Sequence, residues 1–416
     1  MDMSFRKRNI EANIDQLLDF FPVVLILGVR QCGKTTLAKN IRGDWKYFDL
    51  ENGSDFDFIS NDLDFFFDQY PEQIIIDEAQ DLPALFKHLR GVIDQDSSHK
   101  NRFILTGSSS PELIHLASDT LAGRIGIVEL GTFKMNEITA RPLSPFYDIF
   151  ERELTSDSLE FLKDCSPPTD EQPAPLDLFL KGGYPDPALS DNAEYLDRWM
   201  DNYFHTYINR DIKKLFPKLD SIRYRRFIST LSELSGTIIN KAQLGRSIDV
   251  SEVTIRDYLE IADKTFIWRI IPSYEKSRIK SVTKMPKGIL RDSGLLNYLA
   301  GIDTREKLMR SPRVGQNFES YVIEEIIKGI QATTATAWDY SYFRTKNGVE
   351  VDLILEGKFG TLPIEVKFST NTTANQLSSL KSFMAQHGIG FGVVVNNSTE
   401  IRLIQKDIIQ IPVSFI

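Results

Sequence analysis

At 416 residues, with a net charge of −9 and two cysteines, the chain is too long for one ordinary core and too acidic to coat nucleic acid over its whole surface. Two cysteines also make neither a disulfide framework nor a cysteine metal site. No apolar run is long enough to span a membrane and no apolar stretch follows Arg6, Lys7 and Arg8, so several domains in a reducing cytoplasm, with no membrane partner, are expected.

Residues 4 to 20 read as an amphipathic helix with Ile10, Ile14, Leu17 and Leu18 at helical spacing. VVLILGVRQCGKTTLAKNI, residues 23 to 41, then runs as apolar strand, glycine-flanked loop and helix. Gly28, Gly33, Lys34 and Thr35 satisfy G-x-x-x-x-G-K-[ST], the spacing that wraps main-chain N–H groups around nucleotide phosphates. The expected nucleotide-binding residues are Gly28, Arg30, Gln31, Cys32, Gly33, Lys34, Thr35 and Thr36. Lys34 supplies a point charge to the β- and γ-phosphates, and the Thr35 hydroxyl is placed to ligate Mg²⁺.

WKYFDLE (45–51) reads as a second strand, followed by an acidic, aromatic helix, DLDFFFDQY. EQIIIDEAQDLP (72–83) is an apolar strand ending in two carboxylates. Asp77 falls where Mg²⁺ is held together with Thr35, and Glu78 is the candidate base for the attacking water; the bland alternative is two surface acids heading the next helix. NRFILTGSSS (101–110) is a buried strand finishing in hydroxyls. In NTPases with a strand inserted between the two phosphate-site strands, a polar residue here senses the γ-phosphate. Thr106 is the first choice and Ser108 the second. LAGRIGIVELGTF (121–133) gives another strand, preceded by Arg124. That arginine can reach phosphate in its own subunit, act as a finger into a neighbour's site, or lie on the surface. Lys34, Glu78, Thr106 and Arg124 form the expected catalytic set.

Residues 156 to 177 are polar and hold four prolines, which marks a linker. Residues 193 to 216 carry Tyr195, Trp199, Tyr203 and Tyr207 about a turn apart, a stripe more in keeping with a core than with a ligand box. Over 222 to 271 the pattern is helix, helix, a third helix opened by Ser251 and Thr254, and the strand FIWRIIP, the plan of a winged helix-turn-helix. Residues 206 to 290 carry 17 basic and 9 acidic side chains, yet the third helix offers Glu252, Arg256 and Asp257, so DNA and protein partners both stay open.

GQNFESYVIEEIIKGI (315–330) is an amphipathic helix with Phe318, Val322, Ile326 and Ile327 inward, and Asn347-Gly348 supplies a hairpin turn behind it. Asp352 lies on the polar face of one arm, and Glu365 and Lys367 share a face of the next strand. Such a set can bind Mg²⁺ through Asp352 and Glu365, with Glu319 as a further ligand and Lys367 orienting water; a retained salt-bridge cluster is the alternative.

GVRQCGKTT, IIIDEAQ, LTGSSS and LAGRI, with KGGYPDP (181–187) and INRDI (208–212), resemble the prokaryotic AAA-type ATPases that carry a C-terminal domain of unassigned function. The resemblance implies an α/β P-loop domain over 1–150, a linker over 151–178, a helical and winged-helix region over 179–300 and an α+β domain over 301–416 like the PD-(D/E)xK nucleases. It also implies ATP, with ADP as product, in preference to a guanine nucleotide. Glu319, Asp352, Glu365 and Lys367 match the nuclease E…D…E-x-K pattern. The expected function is Mg²⁺-dependent ATP binding and hydrolysis that controls the winged-helix and nuclease-like modules, acting on DNA. The alternative is a nucleotide-driven switch that binds protein partners and cuts nothing. Self-association into a homo-oligomer is left open.

Overall fold

Val23–Gly28 is six apolar or small residues in succession, which only a strand covered on both faces can bury, and in the structure all six are buried. The structure is a computed structural model that describes residues 5–108, 111–168, 174–275 and 284–416, without the side chains of residues 111 and 112. Ser109 and Ser110 of the LTGSSS stretch and residues 169–173 of the proline-rich linker lie outside the described residues. The chain divides into two units, one of Lys7–Thr132 with Lys264–Phe266, the other of Met1–Arg6, Phe133–Asp263 and Ile267–Ile416.

The first unit holds strands β1 (Val23–Gly28), β2 (Lys46–Asp49), β3 (Ile74–Asp77), β4 (Phe103–Ser108) and β5 (Ile125–Leu130), in the order β2-β3-β4-β1-β5. Every pairing is parallel. Helices α1 (Glu11–Phe20), α2 (Lys34–Ile41), α3 (Gly53–Asn61), α4 (Leu63–Gln69), α5 (Ala84–Gln95) and α6 (Pro111–Thr120) join the strands. β4 sits between β1 and β3, which makes it the inserted strand that the hydroxyl-ended pattern calls for. The acidic aromatic stretch, residues 62–70, is the single helix α4, and α3 is a separate helix before it. Asp62 separates the two in extended conformation and caps α4, accepting from the Phe65 amide at 2.9 Å. The first helix, expected over residues 4 to 20, begins at Glu11, whose carboxylate reaches back to accept from the Arg8 amide at 2.7 Å.

In the second unit, helices Ser221–Ser232, Lys241–Ile248 and Glu252–Lys264 accompany a small antiparallel sheet of β6 (Thr237–Ile238), β7 (Trp268–Ile271) and β8 (Lys287–Leu290), ordered β6-β8-β7. Asn240 and Ser251 cap the second and third of these helices, accepting from the amides of Gln243 at 3.0 Å and Thr254 at 3.1 Å. The aromatic stripe is partly interior: Tyr203 and Tyr207 are buried and Tyr195 is exposed. The INRDI segment forms a π-helical turn, Tyr207–Ile212.

A six-stranded sheet closes the chain, in the order β13-β14-β12-β11-β10-β9. Its strands are β9 (Asp339–Arg344), β10 (Glu350–Gly357), β11 (Gly360–Lys367), β12 (Gly392–Asn396), β13 (Arg402–Gln405) and β14 (Ile408–Pro412). β9, β10 and β11 pair antiparallel, and β12 returns parallel to β11 after the helix Ser378–His387. Phe318, Val322, Ile326 and Ile327 of the helix Val314–Gln331 are fully buried in one core, with Leu353, Leu355 and Ile364. Leu380, Phe383 and Met384 belong to a second core with Val351 and Ile354. Leu353, Ile354 and Leu355 thus alternate between the two cores, while Val351, across a register shift in the pairing with β9, shares the core of Ile354. Residues 351–355 are buried without a break, and Asp352 has no solvated polar face to lie on.

Candidate functional site

The end of β1 must turn sharply beside β5. A Cβ on Gly28 would lie 2.3 Å from the Leu130 carbonyl oxygen, so no larger residue fits without displacing the strand. Gln31 and Gly33 take positive φ values of 61° and 96°, and α2 starts at Lys34. The Lys34 ammonium is buried and donates to the carbonyls of Gly28 and Val29 at 3.2 Å each, spanning the loop it is meant to serve. Arg30 is half-buried, Cys32 buried, and Gln31 and Thr36 exposed. The loop and the first turn of a helix together present the orphan N–H groups that bind anions.

Strand register brings the acids to this loop. Asp77 ends β3, and its Oδ2 accepts from the Thr35 hydroxyl at 2.6 Å and from the Tyr47 hydroxyl at 2.8 Å. Its Oδ1 accepts from the Thr106 hydroxyl, which in turn accepts from the Glu78 amide at 3.4 Å. Glu78 has a positive φ of 54°, uncommon for a residue with a Cβ. Its carboxylate accepts from Gln80 Nε2 at 2.5 Å, the Ser108 amide at 3.2 Å and the Ser108 hydroxyl at 3.3 Å. Thr35, Asp77, Glu78, Thr106 and Ser108 therefore form one hydrogen-bonded set. A hydroxyl beside a carboxylate is a hard-oxygen donor pair of the kind Mg²⁺ takes, so the residues fit that ion.

Arg124 is not part of this set. Val23 pairs with Ile125 and Gly28 with Leu130, so Arg124 precedes β5 at the edge opposite the phosphate loop, about 20 Å away at ~3.3 Å per residue. There its Nε donates to Asp94 Oδ1 at 2.6 Å. The expectation that it reaches phosphate within its own subunit is corrected by strand direction.

Three residues of the site escaped the sequence reading, Tyr47, Arg8 and Gln80, the last lying within the IIIDEAQ stretch. Tyr47 shows no motif. Arg8 is 5% exposed, and its guanidinium donates to the carbonyls of Cys32 at 2.9 Å and Gly131 at 2.8 Å, bracing the phosphate loop. A basic residue just ahead of a helix was its only visible signal.

In the second unit, Asp352 and Glu365 lie one step beyond the Leu353–Ile364 pair on neighbouring strands. Asp352 Oδ2 accepts from the Val366 amide at 2.8 Å, and Lys367 Nζ donates to Glu365 Oε1 at 2.5 Å. Glu365 Oε2 is buried with no hydrogen-bond partner. Burial, reinforced by Asp352, pushes the Glu365 carboxyl up to about 8. Glu319 is turned to another cation: Lys287 of β8, 1% exposed, donates to it at 2.6 Å and pairs with Glu350 at 3.0 Å. Among the described residues no group of three or more His, Cys, Asp or Glu is arranged to hold a metal ion. In the structure Glu319 is thus engaged by Lys287, while Asp352 and Glu365 stand side by side on the strand pair. Lys287 and Glu350 had no motif to reveal them.

Residues 21–139 match the model of an AAA domain, residues 175–306 a domain of unknown function (DUF8612) and residues 314–416 another (DUF4143). The uncharacterized proteins Rv2008c of Mycobacterium tuberculosis and Mb2031c of Mycobacterium bovis are each 30% identical to the chain over 356 residues, 85% of this chain and 72% of theirs. The chain belongs to the family of these mycobacterial proteins. Its AAA domain, with five parallel strands flanked by helices, has the fold of a P-loop NTPase. Among solved structures, the Walker-type ATPase PABY2304 of Pyrococcus abyssi is similar at 15% identity and a TM-score of 0.41, covering 72% of this chain and all of that one. No helix among the described residues is long and apolar enough to cross a membrane.

Proposed function

We propose that this family member binds ATP with Mg²⁺ and hydrolyses it. The observation that carries the reading is the continuous hydrogen-bonded chain from Thr35 through Asp77 and Thr106 to Glu78 beside the phosphate loop. Lys34 exchanges the Gly28 and Val29 carbonyls for phosphate oxygens, and the loop amides hold the rest of the polyphosphate. Thr35 and Asp77 are the residues that would hold Mg²⁺, whose charge when bound offsets that of the β- and γ-phosphate oxygens. Glu78, oriented by Gln80 and Ser108, directs a water at the γ-phosphate and takes its proton. Its unusual backbone conformation is the kind of local strain retained at functional sites. Arg124, remote from its own loop and paired with Asp94, keeps two of its expected places, a finger into a neighbour's site in an oligomer or a surface ion pair. Lys34→Ala should abolish nucleotide binding, and Glu78→Gln should keep binding and stop turnover. Unchanged ATP hydrolysis by both purified variants would remove the mechanism.

The C-terminal unit supports a second, linked reading, a nuclease-like module under nucleotide control. Its order of helix, three antiparallel strands, helix and a parallel fourth strand supports the resemblance to the PD-(D/E)xK nucleases. The orphaned, buried Glu365 Oε2 beside Asp352 fits a divalent cation, which when bound would activate water for phosphodiester hydrolysis. Lys367 orients that water. Metal-supplemented digestion of plasmid and single-stranded DNA tests this, and cutting that persists in Lys367→Ala would place the activity elsewhere. The three helices and small sheet before it support a winged-helix element. Its third helix exposes Glu252, Asp257 and Glu260 against Arg256, a balance that favours a protein partner over DNA phosphate there.

A further inference from the structure

We propose that Tyr47 is a positioning residue for Asp77 and that it sets how much Mg²⁺ the nucleotide site requires; this rests on the ATP-binding reading above. Asp77 is buried and receives three hydroxyls, Thr106 on Oδ1 and both Thr35 and Tyr47 on Oδ2. An ionised carboxylate offers about four acceptor positions, so three are in use. Thr35 and Thr106 come with the phosphate loop and the inserted strand. Tyr47 comes with neither: it stands on β2, the outermost strand of the sheet, in register with Ile75, two residues before Asp77. Nothing in the packing of β2 demands a hydroxyl at this half-buried position, and Phe48 beside it fills its place with a ring alone.

Helix α2 reinforces the contact. Thr35 and Lys39 lie one turn apart on the same helix face. The first reaches Asp77, and the second puts its ammonium 3.5 Å from the centroid of the Tyr47 ring. A cation on the ring face draws electron density from the phenol and strengthens its O–H as a donor. Thr35 has two duties, toward the ion and toward Asp77. Tyr47 has one, and it keeps Oδ2 oriented while Thr35 is engaged.

The test uses the full chain, mant-ATP fluorescence and a titration of Mg²⁺ from an EDTA baseline. Tyr47→Phe removes the hydroxyl and keeps the ring. We expect the affinity in EDTA to stay within about twofold of wild type, and the Mg²⁺ midpoint for tight binding to rise about tenfold, the loss of one hydrogen bond to a charged group. Lys39→Met, which acts only through the ring, should raise the midpoint about two- to threefold. An unchanged midpoint in Tyr47→Phe would overturn the assignment, as would a loss of affinity equal with and without Mg²⁺, the mark of a merely structural role. A wild-type chain that binds no mant-ATP under either condition would overturn the nucleotide reading itself.

Discussion

Thr106→Val is the sharpest probe of the proposed hydrolytic site. Thr106 is 0% exposed, and valine matches its shape while deleting one oxygen. That oxygen donates to Asp77 Oδ1 and accepts from the Glu78 amide, so a single substitution frees both carboxylate residues from a common anchor. A hydrogen bond to a charged group contributes ~1.5–3 kcal/mol. At ~1.4 kcal/mol per factor of ten, turnover should fall roughly 10- to 150-fold if the anchor acts in the transition state. Lys34 and the loop amides are untouched, so at saturating Mg²⁺ the affinity for mant-ATP should stay within about threefold. Single-turnover hydrolysis beside equilibrium binding separates the two effects. Turnover within twofold of wild type, or an affinity loss as large as the turnover loss, would refute the reasoning.

Two further outcomes follow from buried cations. Arg8→Met leaves the carbonyls of Cys32 and Gly131 without their donor, a cost of about 2–4 kcal/mol, and should speed amide hydrogen exchange across residues 23–41; unchanged exchange there would deny Arg8 its bracing role. Lys134 is 2% exposed on its side chain, and its Nζ lacks a hydrogen bond and stands 3.5 Å from Glu325, which Lys328 and the Met135 amide already satisfy at 2.6 and 2.9 Å. Burial pushes the Lys134 ammonium down to about 8, below its unfolded value, so its charge costs stability below that pH and the cost fades as pH rises from about 8 toward 10.5. Lys134→Met should therefore stabilise its unit at pH 7 by about 1–2 kcal/mol, after the lost contact with the Tyr147 ring at 5.1 Å, with the gain vanishing near pH 10.5. Urea unfolding followed through Trp199, Trp268 and Trp338 in a Trp45→Phe background reads it; a variant less stable at pH 7, or a difference that ignores pH, would count against it.

The candidate site was legible wherever its chemistry is contiguous. The phosphate loop, the acid pair ending β3 and the hydroxyl ending β4 each occupy a few consecutive residues, and each is announced by an apolar strand that stops in polar groups. Their meeting point followed from a parallel sheet, in which strand ends of one kind share one edge. Arg124 was misplaced for its own subunit by the same rule read incompletely: it precedes its strand where the others follow theirs. The alternation in β10 suggested a wet face for Asp352, and the register shift between Val351 and Ile354, with both cores closing on residues 351–355, removed it.

Local spacing, then, was enough to determine that a P-loop, a strand-end carboxylate pair and more than one core exist, because backbone turns and side-chain periodicity are short-range properties. Only the tertiary structure decided the partners of the buried charges. Tyr47 reaches Asp77, Arg8 reaches Cys32, and Lys287 engages Glu319, through contacts spanning 24 to 32 residues of sequence. Desolvation makes each such pairing obligatory once the chain is packed, yet leaves the choice of partner to strand register and helix placement.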